Sequence, residues 1–134
     1  MTIAELGRHS GVGVETVRYY QRLGLLAVPP FHARTYRRYG QESLAELEFV
    51  RHCKALGFSL KQVAVLVQMR RSRKGSCVKL HDQLAALSSD LDAKKHAIES
   101  QLQQVRALKE ACGAGKPLAD CAALASLERV TPEA

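Results

Sequence analysis

The sequence predicts a mainly α protein: a winged helix-turn-helix domain, then one long helix paired antiparallel with that of a second copy, then a short C-terminal loop. Three observations predict it. Two short helical stretches near the start meet at Gly11-Val12-Gly13, the segment from Cys77 to Cys112 repeats apolar residues every seven positions without a Gly or Pro, and the basic charge is confined to the first half. Residues 1–75 carry 13 Lys and Arg against 5 Glu and no Asp, so this part carries +8 and the rest of the chain −1, which together give the net +7. A basic first part joined to a near-neutral helical part fits a nucleic-acid reader with a separate assembly or sensing segment. The chain divides accordingly into 1–75, a domain with the charge of a DNA binder; 76–111, a long helix with an apolar seam for a partner; and 112–134, a loop and tail.

Composition narrows the class. With 134 residues, 46% hydrophobic content, 5% aromatic content and no Trp, one domain plus an extension is expected, with a core of aliphatic side chains. No apolar run approaches the length of a membrane span, and Met1 to Gly11 is unlike a secretory signal, which points to a cytoplasmic protein with no membrane partner. Thiols stay reduced there, so four cysteines argue for metal binding, redox chemistry or burial before disulfides. There is no His-Glu-x-x-His run, no Cys-x-x-Cys pair, no phosphate-binding Gly loop and no nucleophile and base arrangement, so the chain reads as a non-enzyme.

Each element follows in order. Ile3, Ala4, Leu6 and Val12 outline a helix ending near Gly11, and Val14 to Leu23 a second. The second carries Thr16, Arg18, Tyr19, Tyr20, Gln21 and Arg22, groups suited to a major groove: Arg pairs with guanine, Gln with adenine, and Tyr reaches phosphate. One of the two tyrosines is expected to face inward. Pro29 and Pro30 break the chain before Phe31 to Gly40, a β-prone stretch containing Arg34, Arg37 and Arg38 that reads as a hairpin wing. Leu44, Leu47, Val50, Cys53 and Leu56 recur at helical spacing up to a Gly57 cap, which puts Cys53 in the core. Ser59 and Gln62 form a capping box, with Phe58 stapled to Val63, for a helix from Leu60 to about Met69; its start offers Lys61 and backbone N–H groups to a phosphate. Arg70 to Ser76 reads as a basic linker.

In the long helix Leu84, Leu91, Ile98 and Val105 form one heptad series, extended at its ends by Cys77 and Cys112, and Leu80, Leu87 and Leu108 form the other. Lys94 and Gln101 interrupt the second series and help fix its register. Thirty-five positions separate Cys77 from Cys112, or roughly 50 Å along one helix at about 1.5 Å per residue. A single chain cannot bring them to a common ion. Antiparallel pairing places Cys77 of one subunit beside Cys112 and Cys121 of its partner, the loop Gly113-Ala114-Gly115-Lys116-Pro117 turning the chain between the last two. Taken singly, each cysteine has burial as its ordinary explanation; their joint placement points to a thiolate metal site across a dimer interface. His81, one turn after Cys77, has a solvent-facing position as its default. Three thiolates suit a soft divalent ion that tolerates trigonal coordination, Hg(II), Pb(II) or Cd(II), over Zn(II).

From Ile3 to Val67 the chain resembles the MerR family of bacterial transcription regulators, through the run from Gly11 to Leu26, Arg37-Arg38-Tyr39-Gly40 and Leu56-Gly57-Phe58-Ser59-Leu60. The remainder is similar to the heavy-metal branch, whose mercury and lead sensors share the spacing of Cys77, Cys112 and Cys121. The resemblance implies a homodimer that reads double-stranded, palindromic promoter DNA with a long spacer. The resemblance also implies that this homodimer represses without metal and that, with metal, it distorts the DNA so that RNA polymerase can transcribe. By position, Arg18, Tyr19, Tyr36 and Arg38 would contact DNA, with Arg22, Arg37 and Lys61. The N-terminal strings look closer to mercury sensors, so Hg(II) is favoured as the inducing ion. Pb(II) or Cd(II)/Zn(II) response is the alternative within the family, and a redox switch using a Cys112–Cys121 disulfide is the alternative outside it.

Overall fold

The computed structural model describes residues 1–30, 38–113 and 115–129, and among these every regular element is helical. The order is α1 (Ile3–Ser10), α2 (Val14–Arg22), α3 (Gln41–Leu56), α4 (Leu60–Ser72), α5 (Val78–Ala111), a 3-10 turn (Leu118–Asp120) and α6 (Ala122–Glu128). The expected wing falls mostly on residues 31–37, outside the described residues, as do Tyr36 and Arg37. Two compact units result, Met1–Leu87 and Ser88–Ala134.

Local chemistry sets the helix ends of the first unit. Thr2 and Glu5 form a capping box at α1: the Thr2 hydroxyl accepts from Glu5 N at 3.2 Å and Thr2 N donates to Glu5 Oε2 at 3.0 Å. Gly11 stops α1 in the left-handed conformation, φ 70°, where only glycine sits without cost. The chain then folds back so closely that Val12 N donates to Gly7 O at 2.9 Å, and a Cβ on Gly7 would lie 2.5 Å from the Val12 carbonyl oxygen. Gly7 is what allows α2 to leave α1 at this angle. At α4 the Ser59 and Gln62 box forms as the sequence implies, and Gly57, φ 110°, ends α3.

Leu6, Val17, Leu25, Leu26, Leu47, Val50, Cys53, Phe58, Val63, Leu66 and Val67 close a core from α1 to α4, with Tyr39 buried among them. Leu56, expected in that core, is 59% exposed at the end of α3. The supposed basic linker also changes character: α4 continues through Arg70, Arg71 and Ser72. Arg70 donates to Glu42 at 2.8 Å and Arg71 to the buried Glu46 at 2.9 Å, so these two cations tie α4 to α3.

α5 is one uninterrupted helix of 34 residues. The heptad series Leu84, Leu91, Ile98 and Val105 lies exposed along it, together with Val78, Leu80 and Leu102. Leu87 departs from the expected seam, being buried in the core of the first unit. Among the described residues no helix is long and apolar enough to cross a membrane.

Candidate functional site

α2 presents the chemistry expected of a groove-reading helix. Arg18, Tyr19 and Arg22 are exposed, and the Arg22 guanidinium lies 5.8 Å from the centre of the Tyr19 ring, near enough for a cation–π contact. Arg18 donates to Glu15 at 3.2 Å in a pair open to solvent, which holds little energy and yields readily to a phosphate or base. Thr16 is half-buried. Tyr20 is the inward tyrosine, half-buried against the core, its ring 6.2 Å from that of Tyr19. Gln21, expected to face a base, donates instead to the Tyr39 hydroxyl at 2.8 Å. Arg38 is exposed immediately before Tyr39. Lys61 is exposed in the first turn of α4, where the capping box already occupies the Gln62 N–H that a phosphate could use.

The second unit places two thiols together. Cys112 directly follows α5 and Cys121 is the N-cap of α6, with the loop between them returning the chain. Backbone N–H groups of Leu124 and Ala123 hold the Cys121 thiol below its ordinary pKa, aided by Cys112 and the Lys116 charge. The Cys112 thiol is raised in turn, by its hydrogen bond to Cys121 and by the charge there. One sulfur of the pair is therefore favoured as thiolate, the form that binds soft metals. Cys77 is exposed just before α5, and its carbonyl accepts from His81 N at 2.8 Å. Cys53 is buried, and burial raises its thiol, as suits an inert core residue. Among the described residues of one chain no three His, Cys, Asp or Glu side chains gather as a metal cage. The donor chemistry at Cys112 and Cys121 fits a thiophilic ion but falls one ligand short of three.

Two short helices on a tight glycine turn, the second with a basic and aromatic outer face, define a helix-turn-helix regulator that binds DNA. The family model described as MerR HTH family regulatory protein matches residues 1–70, and that described as MerR, DNA binding, matches residues 44–112. The chain belongs to the MerR family of transcription regulators. It is 30% identical over 125 residues to the mercuric resistance operon regulatory protein of Bacillus cereus, covering 93% of this chain and 95% of that one. Among solved structures it is similar to a transcription regulator of Ralstonia metallidurans in complex with lead(II), with TM-score 0.81 and 27% identity, covering 95% of this chain and 98% of the other. It is also similar to a MerR regulator of Bacillus megaterium in complex with mercury(II), with TM-score 0.73 and 26% identity, covering 96% and 100%.

Proposed function

We propose that this protein is a homodimeric, metal-responsive transcription regulator that holds a soft divalent ion with Cys112 and Cys121 of one subunit and Cys77 of the other. The observation that carries the proposal is the pairing of Cys112 and Cys121 across the loop, close enough that each shifts the other's thiol. A third thiolate is needed, and Cys77 is an exposed candidate at the opposite end of the same helix. The apolar row Leu84, Leu91, Ile98 and Val105, open to water in one chain, supports antiparallel pairing as the way to bring it there.

In this scheme Thr16, Arg18, Tyr19, Arg22 and Lys61 bear on promoter DNA, with Tyr36, Arg37 and Arg38 completing the contact, while Tyr20, packed against the core, supports the helix from behind and leaves the set of DNA contacts expected from the sequence. Without metal the dimer represses. Joining the ends of the two long helices through sulfur shifts the attached DNA-binding domains, and the DNA is distorted into a form that RNA polymerase can use. Hg(II) is favoured because it accepts three soft donors, and because the relatives include a mercuric resistance regulator and a mercury-bound structure. The lead-bound neighbour keeps Pb(II) as the alternative.

Reporter induction by Hg(II), Pb(II), Cd(II), Zn(II) and Cu(I), with ion stoichiometry measured on the purified dimer, tests the proposal. One ion per three-cysteine site with induction by a soft divalent ion is the expected result. Closeness of Cys112 and Cys121 also suits a redox switch, which would instead respond to oxidant without metal. Metal uptake without any change in promoter output would make the protein a buffer.

A further inference from the structure

The helix that carries the exposed DNA-facing side chains is held by few contacts. α2 has nine residues, fully buries only Val17, and begins at Gly13 with no side-chain cap. So short a helix has no stability of its own, and its roll and tilt are set by tertiary contacts. Val17 and Gln21, four residues apart, lie on one face. The first is the apolar anchor of that face and the second is its polar one.

Gln21 Nε2 donates to the Tyr39 hydroxyl at 2.8 Å. Tyr39 is itself tightly fixed: it is 5% exposed, its N donates to Met1 O at 2.7 Å, and Met1 N donates to its carbonyl at 2.7 Å. Arg38 immediately precedes it and Gly40 begins α3 as N-cap. The Tyr39 phenol thus connects α2 to the backbone segment that bears Arg38, and the Tyr39 backbone ties that segment to Met1, ahead of α1.

We infer that Gln21 and Tyr39 are positioning residues for DNA recognition: their hydrogen bond fixes the roll of α2 against the Arg38 segment, and Gln21 reads no base. The inference rests on α2 being the DNA-reading helix. Arg18, Tyr19 and Arg22 on one element and Arg38 on another must meet the same duplex, and a base contact is lost when a side chain is misplaced by about an ångström. A freely rolling α2 would keep its charge and lose its register. Non-specific affinity, which depends on charge, would then survive while specific affinity fell.

The test uses full-length protein and two probes, the duplex that the wild type enriches from a randomised DNA pool and a random-sequence duplex. Tyr39→Phe removes only the hydroxyl, and Gln21→Met keeps length and shape. Each should weaken binding to the enriched duplex about 2- to 10-fold, the scale of one hydrogen bond, with random-sequence binding unchanged. The double variant should be no weaker than either single one. Variants that melt earlier but keep the wild-type ratio of the two affinities when folded would make the bond merely structural and overturn the inference. A changed base preference in Gln21→Met that Tyr39→Phe does not share would make Gln21 a reader, and overturn it too. A wild type that enriches no sequence would remove the DNA-reading role of α2, and the inference with it.

Discussion

Replacing Arg71 by Ala should lower the melting temperature of the first unit, although the sequence places Arg71 in a basic tract that reads as a linker. Glu46 has a side chain only 9% exposed and accepts from Arg71 Nη2 at 2.9 Å. Without Arg71 the carboxylate stays where water reaches it poorly. Breaking a fully buried pair costs about 3–5 kcal/mol, but Arg71 is 36% exposed, so solvent screens its side of this one. A hydrogen bond to a charged group, about 1.5–3 kcal/mol, is the better scale. For a domain of this size each kcal/mol moves the midpoint by roughly 4–8 °C, so a fall on the order of 10 °C is expected. Thermal unfolding followed by circular dichroism measures it, with Lys74→Ala, an exposed cation in the same tract, as control. Glu46→Gln added to Arg71→Ala should restore part of the loss, since it removes the stranded charge. Equal midpoints for Arg71→Ala and Lys74→Ala, or a loss that vanishes in high salt, would show that the pair is only a screened surface contact.

Three further outcomes are expected. Gly7→Ala should destabilise the fold by about 1–3 kcal/mol in urea unfolding, because the new Cβ meets the Val12 carbonyl at 2.5 Å, whereas Gly13→Ala finds nothing within 4 Å. Arg18→Ala should abolish selection among DNA sequences, while Lys74→Ala should weaken all binding alike and only at low salt; the same loss from both would misplace the recognition helix. At neutral pH an alkylating reagent should modify Cys121 before Cys112, since the first thiol is held down and the second up, and should reach buried Cys53 last. Peptide mapping by mass spectrometry reads that order, and Cys112 reacting first would contradict it.

What depends on near neighbours in the chain could be read from the sequence. The Ser59 and Gln62 capping box, the glycine stops at Gly11 and Gly57, the buried Cys53 and the unbroken run of α5 all follow from short-range rules. Thr2 with Glu5 carries the same Thr-x-x-Glu signature and could have been found by the same rule. Less legible were features decided at long range. Arg70 and Arg71 continue α4 because Glu42 and Glu46 wait on α3, more than twenty residues earlier. Leu87 keeps heptad spacing, yet packs into the first unit's core. Gln21 looks like a base reader until Tyr39 comes within 2.8 Å. At the thiols, the glycine-containing loop foretold that Cys112 and Cys121 would approach, but the backbone donors that favour the Cys121 thiolate appear only once α6 is in place.

Mercury binding by a mixed dimer tests the cross-subunit site most directly. One subunit carries Cys77→Ser, and the other carries both Cys112→Ser and Cys121→Ser. In the mixed species the remaining Cys77 of the second subunit faces Cys112 and Cys121 of the first, so one complete three-thiolate site survives. In the presence of a competing small thiol, the mixed dimer should retain one Hg(II), and neither homodimeric parent should retain any. A mixed dimer that retains none, alongside a forced monomer with all three cysteines that does, would place the ion within a single subunit and contradict the antiparallel arrangement.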